Sequence, residues 1–356
     1  MPDLPDPADP CDPDPALLTR DPALAARLLR AGGLVGLPTE TVYGLAACAD
    51  DVRAVARIYA VKGRPADHPL IVHVRGCDDV DAWASHVPGY ARELAAALWP
   101  GPLTLVLSRA ARAGDHVTGG QDTVGLRAPA HPLAQAVLAD LARDGVDGVP
   151  GLAAPSANRF GRVSPTSAVH VLAELGEVLV SGRDVVLDGG ASVVGVESTI
   201  LDCTGPAPVL LRPGAVTADD VASVCGVRLG LTPSRVRAPG TLAAHYAPRA
   251  RVVLADDVDA LVDDAARWPG ARVSTGLLAP AGVATPAGVV RLSAPEGPEQ
   301  YAQRLYQALR EADALGLDLV VAVPPPPGGV GPAVRDRLAR ASAASSAAAG
   351  SPAAAG

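Results

Sequence analysis

Apolar and polar residues follow one another in blocks along the chain, and the blocks predict strands that alternate with helices. A short apolar run from Leu34 to Leu37 ends in the polar segment Pro38-Thr39-Glu40-Thr41, which is typical of a buried strand that opens into a loop. Asp50 and Asp51 then predict the start of a helix, because apolar residues follow them at helical spacing. Gly63 predicts its end.

The same pattern predicts the remaining elements. The predicted helices open at Asp21-Pro22 and cover Tyr90–Leu98, Pro132–Leu141, Ser167–Leu175, Ala218–Val224, Pro298–Ala314 and Pro332–Arg340. The predicted strands cover Leu70–Val74, Leu103–Leu107, Thr123–Pro129, Leu152–Pro155, Val185–Leu187, Val196–Leu201, Pro208–Leu211, Arg251–Leu254 and Leu317–Val323. We expect Ser164 or Thr166 to cap the helix over 167–175.

Strands that alternate with helices, with apolar strands covered on both faces, are typical of an α/β layered fold. The predicted polar loops fall at strand ends and helix starts, where open α/β sheets place ligand sites. We predict a disordered leader over residues 1–15, an α/β domain over 16–215 and an interdomain linker over 216–249. A smaller α/β domain over 250–342 and a low-complexity tail over 343–356 complete the chain.

Composition narrows the class of protein. The 356 residues carry a net charge of −8, which argues against a protein that mainly coats nucleic acid but leaves room for a local basic cleft. No C-x-x-C pair and no histidine pair with metal-site spacing occurs, so we expect no disulfide framework and no metal ligands from the protein. Without a signal sequence or a long apolar run, we expect a cytoplasmic protein that does not enter a membrane. The five cysteines are Cys11, Cys48, Cys77, Cys203 and Cys225.

Lys62 is the one lysine among 30 lysine and arginine residues, and it lies with Arg64 in a turn that follows a predicted helix. One interpretation is a solvated cation that interacts favourably with the helix dipole. The other is a ligand for phosphate, because a compact ammonium group contacts a phosphate oxygen in a way that arginine's planar fork does not reproduce. We favour the second interpretation, since Arg64 and two polar loops flank Lys62.

The common sequence motifs for nucleotide and hydrolase sites are absent from the sequence. The sequence contains no Gly-Lys-[Ser/Thr] phosphate loop, no G-x-G-x-x-G between a strand and a helix, and no G-x-S-x-G elbow. What remains are hydroxyl, amide and cationic side chains at predicted strand ends, which suit an anionic ligand such as a nucleotide. These segments are Thr39-Glu40-Thr41, Lys62-Gly63-Arg64, Arg127, Ser156-Ala157-Asn158, Ser164, Glu197-Ser198-Thr199 and Arg212.

Six of the polar segments also carry a resemblance. P-T-E-T-V-Y-G-L, K-G-R-P-x-x-x-P-L-I-V-H, V-G-L-R-A-P-x-H-P, P-S-A-N, E-S-T-I and L-R-P-G, in this order, resemble the YrdC-like threonylcarbamoyl-AMP synthases over about residues 20–215. H-Y-A-P at 245–248 and two late runs, 301–306 and 336–338, are similar to the linker and C-terminal domain of the family's long form. The resemblance implies a twisted mixed sheet with flanking helices and a smaller, Rossmann-like C-terminal domain.

The resemblance implies a nucleotidyltransferase that joins L-threonine, bicarbonate and ATP into threonylcarbamoyl-AMP and pyrophosphate, with Mg²⁺ bound to the ATP. Partner proteins, the tRNA-threonylcarbamoyl transferases, would pass the group to tRNA, with which this chain would make a weak contact. Carried over by motif, Lys62 and Arg64 would be catalytic. The ATP contacts would be Lys62, Arg64, His68, Thr123, Ser156, Asn158, Ser164, Arg212, His245 and Tyr246. The threonine contacts would be Thr39, Thr41, His73, Arg127, Ala154 and Ser198.

Two positions depart from the family's pattern. Two other classes of protein also remain as alternative interpretations of the sequence. His68 stands where the family usually has asparagine, and Val321–Pro324 stands where an acidic residue is usual. An RNA-binding module without catalysis is disfavoured by the acidic balance and the few aromatic residues. A carbamoyltransferase-type enzyme is disfavoured because no cysteine-rich zinc segment and no further domain is predicted.

Overall fold

The computed structural model describes residues 14–144, 148–230, 234–242, 244–255 and 273–349. The predicted leader therefore lies outside the described residues except for its last two positions. The same holds for the end of the predicted tail, residues 350–356. Among the described residues, no helix has both the length and the apolar composition that crossing a bilayer requires.

A mixed sheet of eleven strands forms the first domain in the described part of the chain. Its strands are Leu18–Thr19 (β1), Val35–Leu37 (β2), Gly44–Cys48 (β3), Ile71–His73 (β4), Ala84–His86 (β5), Leu103–Arg109 (β6), Thr123–Arg127 (β7), Leu152–Ala153 (β8), Val185–Leu187 (β9), Thr199–Asp202 (β10) and Val209–Arg212 (β11). The helices are Pro22–Arg30 (α1), Val52–Lys62 (α2), Val80–Trp83 (α3), Gly89–Leu98 (α4), Asp115–Thr118 (α5), Pro132–Asp144 (α6), Ala168–Leu175 (α7) and Ala218–Cys225 (α8).

The strand order places the predicted polar loops close together. It runs β1-β9-β2-β3-β8-β4-β7-β6-β10-β11, with β5 paired to β6. The sheet contains parallel pairs such as β4 with β7 and β6 with β10, and antiparallel pairs such as β3 with β8. The sheet is thus mixed, as predicted. Because β8, β4 and β7 are neighbours, His73 lies beside Arg127 in the sheet and Ala154, just after β8, lies beside the start of β4.

Two apolar layers cover the sheet. On one face, Leu29 of α1 and Val137 and Leu138 of α6 pack against β2 and β9. The other layer is larger, and Ile58 of α2 and Leu94 of α4 belong to it. Burial of these side chains is the main contribution to the stability of the domain, at about 25 cal/mol per Å² of apolar surface removed from water.

Capping residues place α2 as the sequence predicted. Asp51 accepts hydrogen bonds from the backbone N–H groups of Arg53 and Ala54, at 2.9 and 3.0 Å, and so satisfies two free donors of the first turn. Gly63 ends the helix with φ +61°, a conformation that glycine adopts without steric cost. The end of α2 therefore fixes where Lys62 and Arg64 lie relative to the sheet.

Some predicted details of this domain are wrong. Ser167 caps α7 through the N–H of His170, at 3.3 Å, whereas Ser164 donates to Glu197 and Thr166 contacts the His170 ring. The predicted strand over Val196–Leu201 begins only at Thr199, because the residues before it form a loop. Strand β3 was not predicted, because its residues Gly-Leu-Ala-Ala-Cys carry little β propensity.

The second domain holds a parallel sheet of four strands and two long helices among its described residues. The strands are Arg251–Leu254 (β12), Thr275–Leu278 (β13), Val290–Ser293 (β14) and Leu319–Ala322 (β15), in the order β12-β15-β13-β14. The helices are Pro298–Ala314 (α9) and Gly331–Ala349 (α10). The α9 prediction is confirmed, whereas α10 continues well beyond the predicted end at Arg340, into the predicted tail.

The two domains share apolar contacts and hydrogen bonds. Val42 and Val196 of the first domain lie in one buried cluster with Leu305 of α9. A Cβ atom on Gly195 would come within 2.3 Å of the carbonyl oxygen of Ala302, so α9 approaches this loop closely. The linker lies between the domains, and α8 at its start packs on α4.

Candidate active site

A cleft lies at the centre of the first sheet, and the linker covers it. The loop after β2, the loop after β8 and the segment before β10 contribute its sides, while Gly240 and neighbouring linker residues contribute its cover. The free volume inside it is about 50 Å³. The predicted site residues that line it are Thr39, Thr41, Arg64, His73, Arg127, Ala154, Ser156, Ser198, Arg212, His245 and Tyr246. All the predicted threonine contacts and half of the predicted ATP contacts therefore lie in one place.

The other predicted ATP contacts lie around the cleft rather than in its lining; they are Lys62, His68, Thr123, Asn158 and Ser164. His68 is part-buried and packs edge-on against the ring of Phe160, with 5.3 Å between the ring centroids. Thr123 lines a smaller cavity that Ala238 and Pro239 of the linker cover.

Lys62 lies behind one side of the cleft. Its Nζ donates to the carbonyl oxygen of Ser156, at 2.5 Å, and to that of Asn158. Burial, and then the nearby charge of Arg64, hold the pKa of Lys62 well below its usual value. In this structure the lysine therefore fixes the loop that carries Ser156 and Asn158. Its predicted contact with a phosphate stays a prediction.

The loop after β2 is held by its own hydroxyl groups. Thr39 Oγ1 donates to the carbonyl oxygen of Val42, at 2.5 Å, and lies 2.8 Å from Thr41 Oγ1. The N–H of Val42 donates back to Thr39 Oγ1, at 3.2 Å. The one Thr39 hydroxyl proton is used in the bond to Val42, so in the Thr39–Thr41 contact Thr41 is the donor, and its oxygen can still accept from a ligand in the cleft.

Arg127 and Glu40 form a buried ion pair beside the cleft. Arg127 Nη2 lies 2.7 Å from Glu40 Oε1, and Glu40 Oε2 accepts from the N–H of Ala130, at 3.0 Å. Burial raises the pKa of Glu40, but the charge of Arg127 and the hydrogen bonds outweigh it, so the pKa is lowered. Glu40 belongs to a segment that the sequence analysis singled out, yet it was not predicted as a site residue.

His73 is a neutral imidazole at ordinary pH. Burial, and then the charge of Arg127, lower its pKa to about 3. Its Nδ1 lies 3.3 Å from the carbonyl oxygen of Ile71, which only a protonated Nδ1 can contact as a donor. This side of the cleft therefore offers one cation, Arg127, beside an uncharged ring.

Arg212 and Ser198 form a second cationic corner. Arg212 Nε and Nη2 donate to the carbonyl oxygen of Ser198, at 3.1 and 2.9 Å, and Nη1 donates to that of Pro239 in the linker. Ser198 Oγ lies 2.7 Å from Thr104 Oγ1. Because the contacts of Arg212 are with neutral carbonyl and hydroxyl oxygens, its positive charge is not cancelled by a direct ion pair.

Glu197 connects this corner to the second domain. Its carboxylate accepts from Ser164 Oγ, at 2.6 Å, from Tyr306 Oη, at 2.8 and 3.1 Å, and from Arg337 Nε, at 2.8 Å. Burial raises the pKa of Glu197, but Arg337, Arg212 and the hydrogen bonds outweigh it and lower the pKa to about 2. Glu197 lies in a segment that the sequence singled out, but no role was predicted for it, since two of its partners, Tyr306 and Arg337, lie more than a hundred residues further along the chain.

The linker places two aromatic rings over the cleft. His245 and Tyr246 pack against each other with 4.1 Å between ring centroids, and Tyr246 stacks on Tyr306 at 5.8 Å. Among the described residues, Tyr246 is the one non-glycine residue with positive φ, at +63°. Such a conformation costs about 1 kcal/mol or more and persists where surrounding contacts enforce it, which is common at ligand sites.

Several buried polar atoms around the cleft have no hydrogen-bond partner. They are Arg64 Nε, Asn158 Oδ1, His245 Nδ1 and Tyr246 Oη. An unpaired buried polar group costs about 1–3 kcal/mol, so native proteins keep such groups mainly where a ligand or water completes them. Burial also lowers the pKa of Arg64 to about 10, which still leaves it charged at neutral pH. The cleft is therefore suited to a polar, anionic ligand.

No group of three or more histidine, cysteine, aspartate or glutamate side chains with metal-binding geometry occurs among the described residues. The cleft carboxylate of Glu197 is engaged by an arginine, a tyrosine and a serine. Mg²⁺ would therefore fit this cleft through the oxygens of a bound phosphate ligand rather than through protein carboxylates.

Two family models match this chain, one for each domain. The model described as Sua5_yciO_yrdC, telomere recombination, matches residues 27–214. The model described as the C-terminal domain of threonylcarbamoyl-AMP synthase matches residues 216–343.

Characterised relatives and a solved structure match over nearly the whole chain. The threonylcarbamoyl-AMP synthase of Pyrococcus abyssi is 38% identical over 331 residues, 90% of this chain and 93% of that protein. The synthase of Bacillus subtilis is 39% identical over 340 residues, 91% of this chain and 94% of that protein. The crystal structure of P. abyssi Sua5 complexed with L-threonine is 37% identical and has a TM-score of 0.80, covering 92% of this chain and 98% of that one.

Proposed function

The chain belongs to the Sua5/YciO/YrdC family in its long, two-domain form, and from this premise we propose how its cleft carries out the family's reaction. The protein is a threonylcarbamoyl-AMP synthase, a nucleotidyltransferase that makes L-threonylcarbamoyladenylate for the modification of tRNA. The observation that supports the site best is that every predicted threonine contact lines the same cleft as Arg64, Arg212 and the linker rings.

The reaction needs positioned substrates and cations more than a protein nucleophile. The amine of L-threonine adds to bicarbonate and loses water to give a carbamate. A carbamate oxygen then attacks the α-phosphorus of ATP, and pyrophosphate leaves as the P–O bond to it breaks. Such a transfer gains most from holding the two reactants in line and from fixed charge near the phosphates.

We assign the threonine end of the cleft to the loop after β2 and to β4, β7 and β8. Arg127 would pair with the carboxylate of the amino acid, and the Thr41 hydroxyl and the neutral His73 ring would contact its polar groups. Because His73 is neutral, Arg127 is the cation on this side of the cleft, and we expect the threonine carboxylate to bind to it. Ser198 would lie between the threonine and the phosphates.

We assign ATP to the part of the cleft that holds the two arginines and the buried polar atoms without hydrogen-bond partners. Arg64 and Arg212 would neutralise the phosphates, and Asn158 Oδ1, His245 Nδ1 and Tyr246 Oη would complete their hydrogen bonds with ATP. Mg²⁺ would accompany the phosphates and add to their neutralisation. We further propose that the chain works in the cytoplasm with tRNA-threonylcarbamoyl transferase partners and contacts tRNA only weakly.

The cleft has room for ATP only if the linker moves. Its free volume of about 50 Å³ is far below the roughly 300–1,000 Å³ of pockets that hold drug-sized ligands. His245, Tyr246 and Gly240 close it from the linker side. We propose that the linker opens to admit ATP and closes again over the adenylate, which would keep water from hydrolysing it.

The reaction is tested by its substrate dependence. Pyrophosphate release from ATP should require both L-threonine and bicarbonate, and each omission should reduce it to background. Chromatography of the products should show threonylcarbamoyl-AMP in step with pyrophosphate. ATP turnover that ignores threonine would indicate a different adenylating enzyme, and binding of RNA with no turnover would indicate the binding module.

Replacing Gly240 by alanine should weaken ATP use by about tenfold in kcat/KM. Gly240 has φ +74°, and a Cβ atom there would lie 2.2 Å from Tyr246 Oη and 3.1 Å from Arg212 Nη1, so the substitution displaces both. Gly182→Ala is the matched control, because Gly182 has φ +78° with no atom within 4 Å of its Cβ position. Initial rates should show a raised KM for ATP in Gly240→Ala alone; equal kinetics in the two variants would argue against closure by the linker.

A further inference from the structure

A carboxylate lies in the lining of a cleft that must bind phosphates, and the second domain provides the cation beside it. Glu197 lines the cleft between the loops that carry Ser164 and Ser198. An unpaired negative charge there would repel ATP, since charges in a poorly solvated site are only weakly screened. Arg337 of α10 forms the ion pair with Glu197, at 2.8 Å, and its side chain is fully buried.

We propose that Arg337 is a positioning residue for the reaction, through which the C-terminal domain neutralises Glu197 and holds Tyr246 over the cleft. The inference rests on the proposed function. It gives the C-terminal domain a role in catalysis: the cleft becomes cationic enough for ATP only when α9 and α10 are docked.

Contacts with Glu197 support the first part of this role. Tyr306 Oη of α9 contacts both carboxylate oxygens of Glu197, and Arg337 Nε donates to Oε2. The second domain therefore supplies most of the hydrogen bonds of this buried carboxylate. With Glu197 neutralised, Arg64 and Arg212 remain as cleft cations that have no acidic partner in direct contact within the described part of the chain. Burial alone would otherwise favour a protonated Glu197 or push it toward solvent.

Contacts with Tyr246 support the second part. The Arg337 guanidinium lies 5.3 Å from the centroid of the Tyr246 ring, and Tyr306 stacks on that ring at 5.8 Å. These two side chains thus hold the residue whose backbone is in the left-handed region. Arg337 Nη2 is itself buried with no hydrogen-bond partner. A displaced Arg337 would therefore disturb the linker as well as the charge of the cleft.

The test is a double-mutant cycle in the full-length protein. Arg337→Gln leaves Glu197 as an unpaired acid, so KM for ATP should rise at least tenfold. Binding of L-threonine alone, measured by calorimetry, should change less than twofold. Combining Arg337→Gln with Glu197→Gln removes the unpaired charge, and KM for ATP should return to within about threefold of the wild type. Arg335→Gln is the matched control, since Arg335 lies on the same helix with an exposed side chain and its removal changes the net charge equally.

The outcomes distinguish a failure of the proposed role of Arg337 from a failure of the proposed function. Wild-type protein that releases no pyrophosphate with threonine and bicarbonate would overturn the proposed function itself. An active wild type whose KM for ATP is unchanged by Arg337→Gln would overturn the role of Arg337. A double variant that folds, by circular dichroism, yet binds ATP as weakly as the single variant would overturn the charge-neutralising part of that role. If Arg337→Gln does not fold, the double variant still decides, because it buries no unpaired charge.

Discussion

Replacing Lys62 by methionine should reduce threonine-dependent pyrophosphate release by at least a hundredfold. The substitution keeps a long, flexible apolar stem but removes the ammonium group that bonds the carbonyl oxygens of Ser156 and Asn158. Those oxygens would be left unpaired in the interior, at a cost of about 1–3 kcal/mol each, and the loop would shift. A shift of about 1 Å in substrate-binding groups can by itself cost about a hundredfold in rate.

Binding of L-threonine without ATP separates the two roles of Lys62. If the lysine acts only through the loop, Lys62→Met should weaken threonine binding too, because the same loop begins at Ala154 in the threonine end of the cleft. If Lys62 swings to a phosphate when ATP binds, threonine binding should stay near the wild-type value while kcat and ATP binding are lost. Lys62→Arg should not restore activity in either case, since the site encloses Lys62 almost completely and a planar guanidinium is larger than an ammonium group. An active Lys62→Arg variant would contradict both roles.

The sequence predicted the elements whose signals are local. The first turn and the end of α2 follow from Asp51 and Gly63, and α9 follows from apolar spacing over four turns. The strand β3 was missed because Gly-Leu-Ala-Ala-Cys is too small and too weakly β-forming to stand out. It is a strand because β2 and β8 pair with it on both sides. Tertiary pairing of this kind overrides local propensity.

The sequence predicted which loops carry the candidate site, but it did not predict the hydrogen bonds and ion pairs that connect them. The polar residues after β2, β8 and α2 were found because each motif is contiguous in sequence. The bonds from Lys62 to the loop after β8, and from Arg337 to Glu197, join residues about 95 and 140 positions apart. No periodicity or spacing in one sequence reports such a pair. The same limit explains why Glu40 and Glu197 were seen as parts of motifs and not as partners of arginines.

Replacing Arg127 by methionine should abolish binding of L-threonine and also destabilise the protein. Arg127 is the cation on the threonine side of the cleft, and its Nη2 holds the buried carboxylate of Glu40 at 2.7 Å. Removing one member of a buried ion pair leaves the other as an uncompensated charge, which costs about 3–5 kcal/mol. Calorimetry with L-threonine and chemical denaturation at neutral pH measure the two effects separately.

The pH dependence of the stability difference identifies Glu40 as its source. In the wild type the folded-state pKa of Glu40 lies below its unfolded value, so the pair stabilises above the unfolded pKa and this is lost as pH falls through the folded pKa. In Arg127→Met only the backbone hydrogen bonds oppose burial, which is the largest single influence on Glu40, so we expect its pKa to rise above the unfolded value. The ionised Glu40 carboxylate then destabilises the variant at neutral pH, and this destabilisation decreases as the carboxylate is protonated at lower pH. The gap in free energy of unfolding between wild type and variant should therefore shrink from pH 7 to pH 5.

A second substitution at Glu40 distinguishes the two contributions of Arg127. Glu40→Gln added to Arg127→Met removes the unpaired charge, so most of the lost stability should return and the gap should no longer depend on pH between pH 7 and pH 5. Threonine binding should stay lost, because the carboxylate of the substrate still lacks its cation. If the double variant recovered threonine binding, Arg127 would act only by neutralising Glu40, and the threonine carboxylate would have to bind another cation. Arg64 and Arg212 also line the cleft, so their substitution would then become the next measurement.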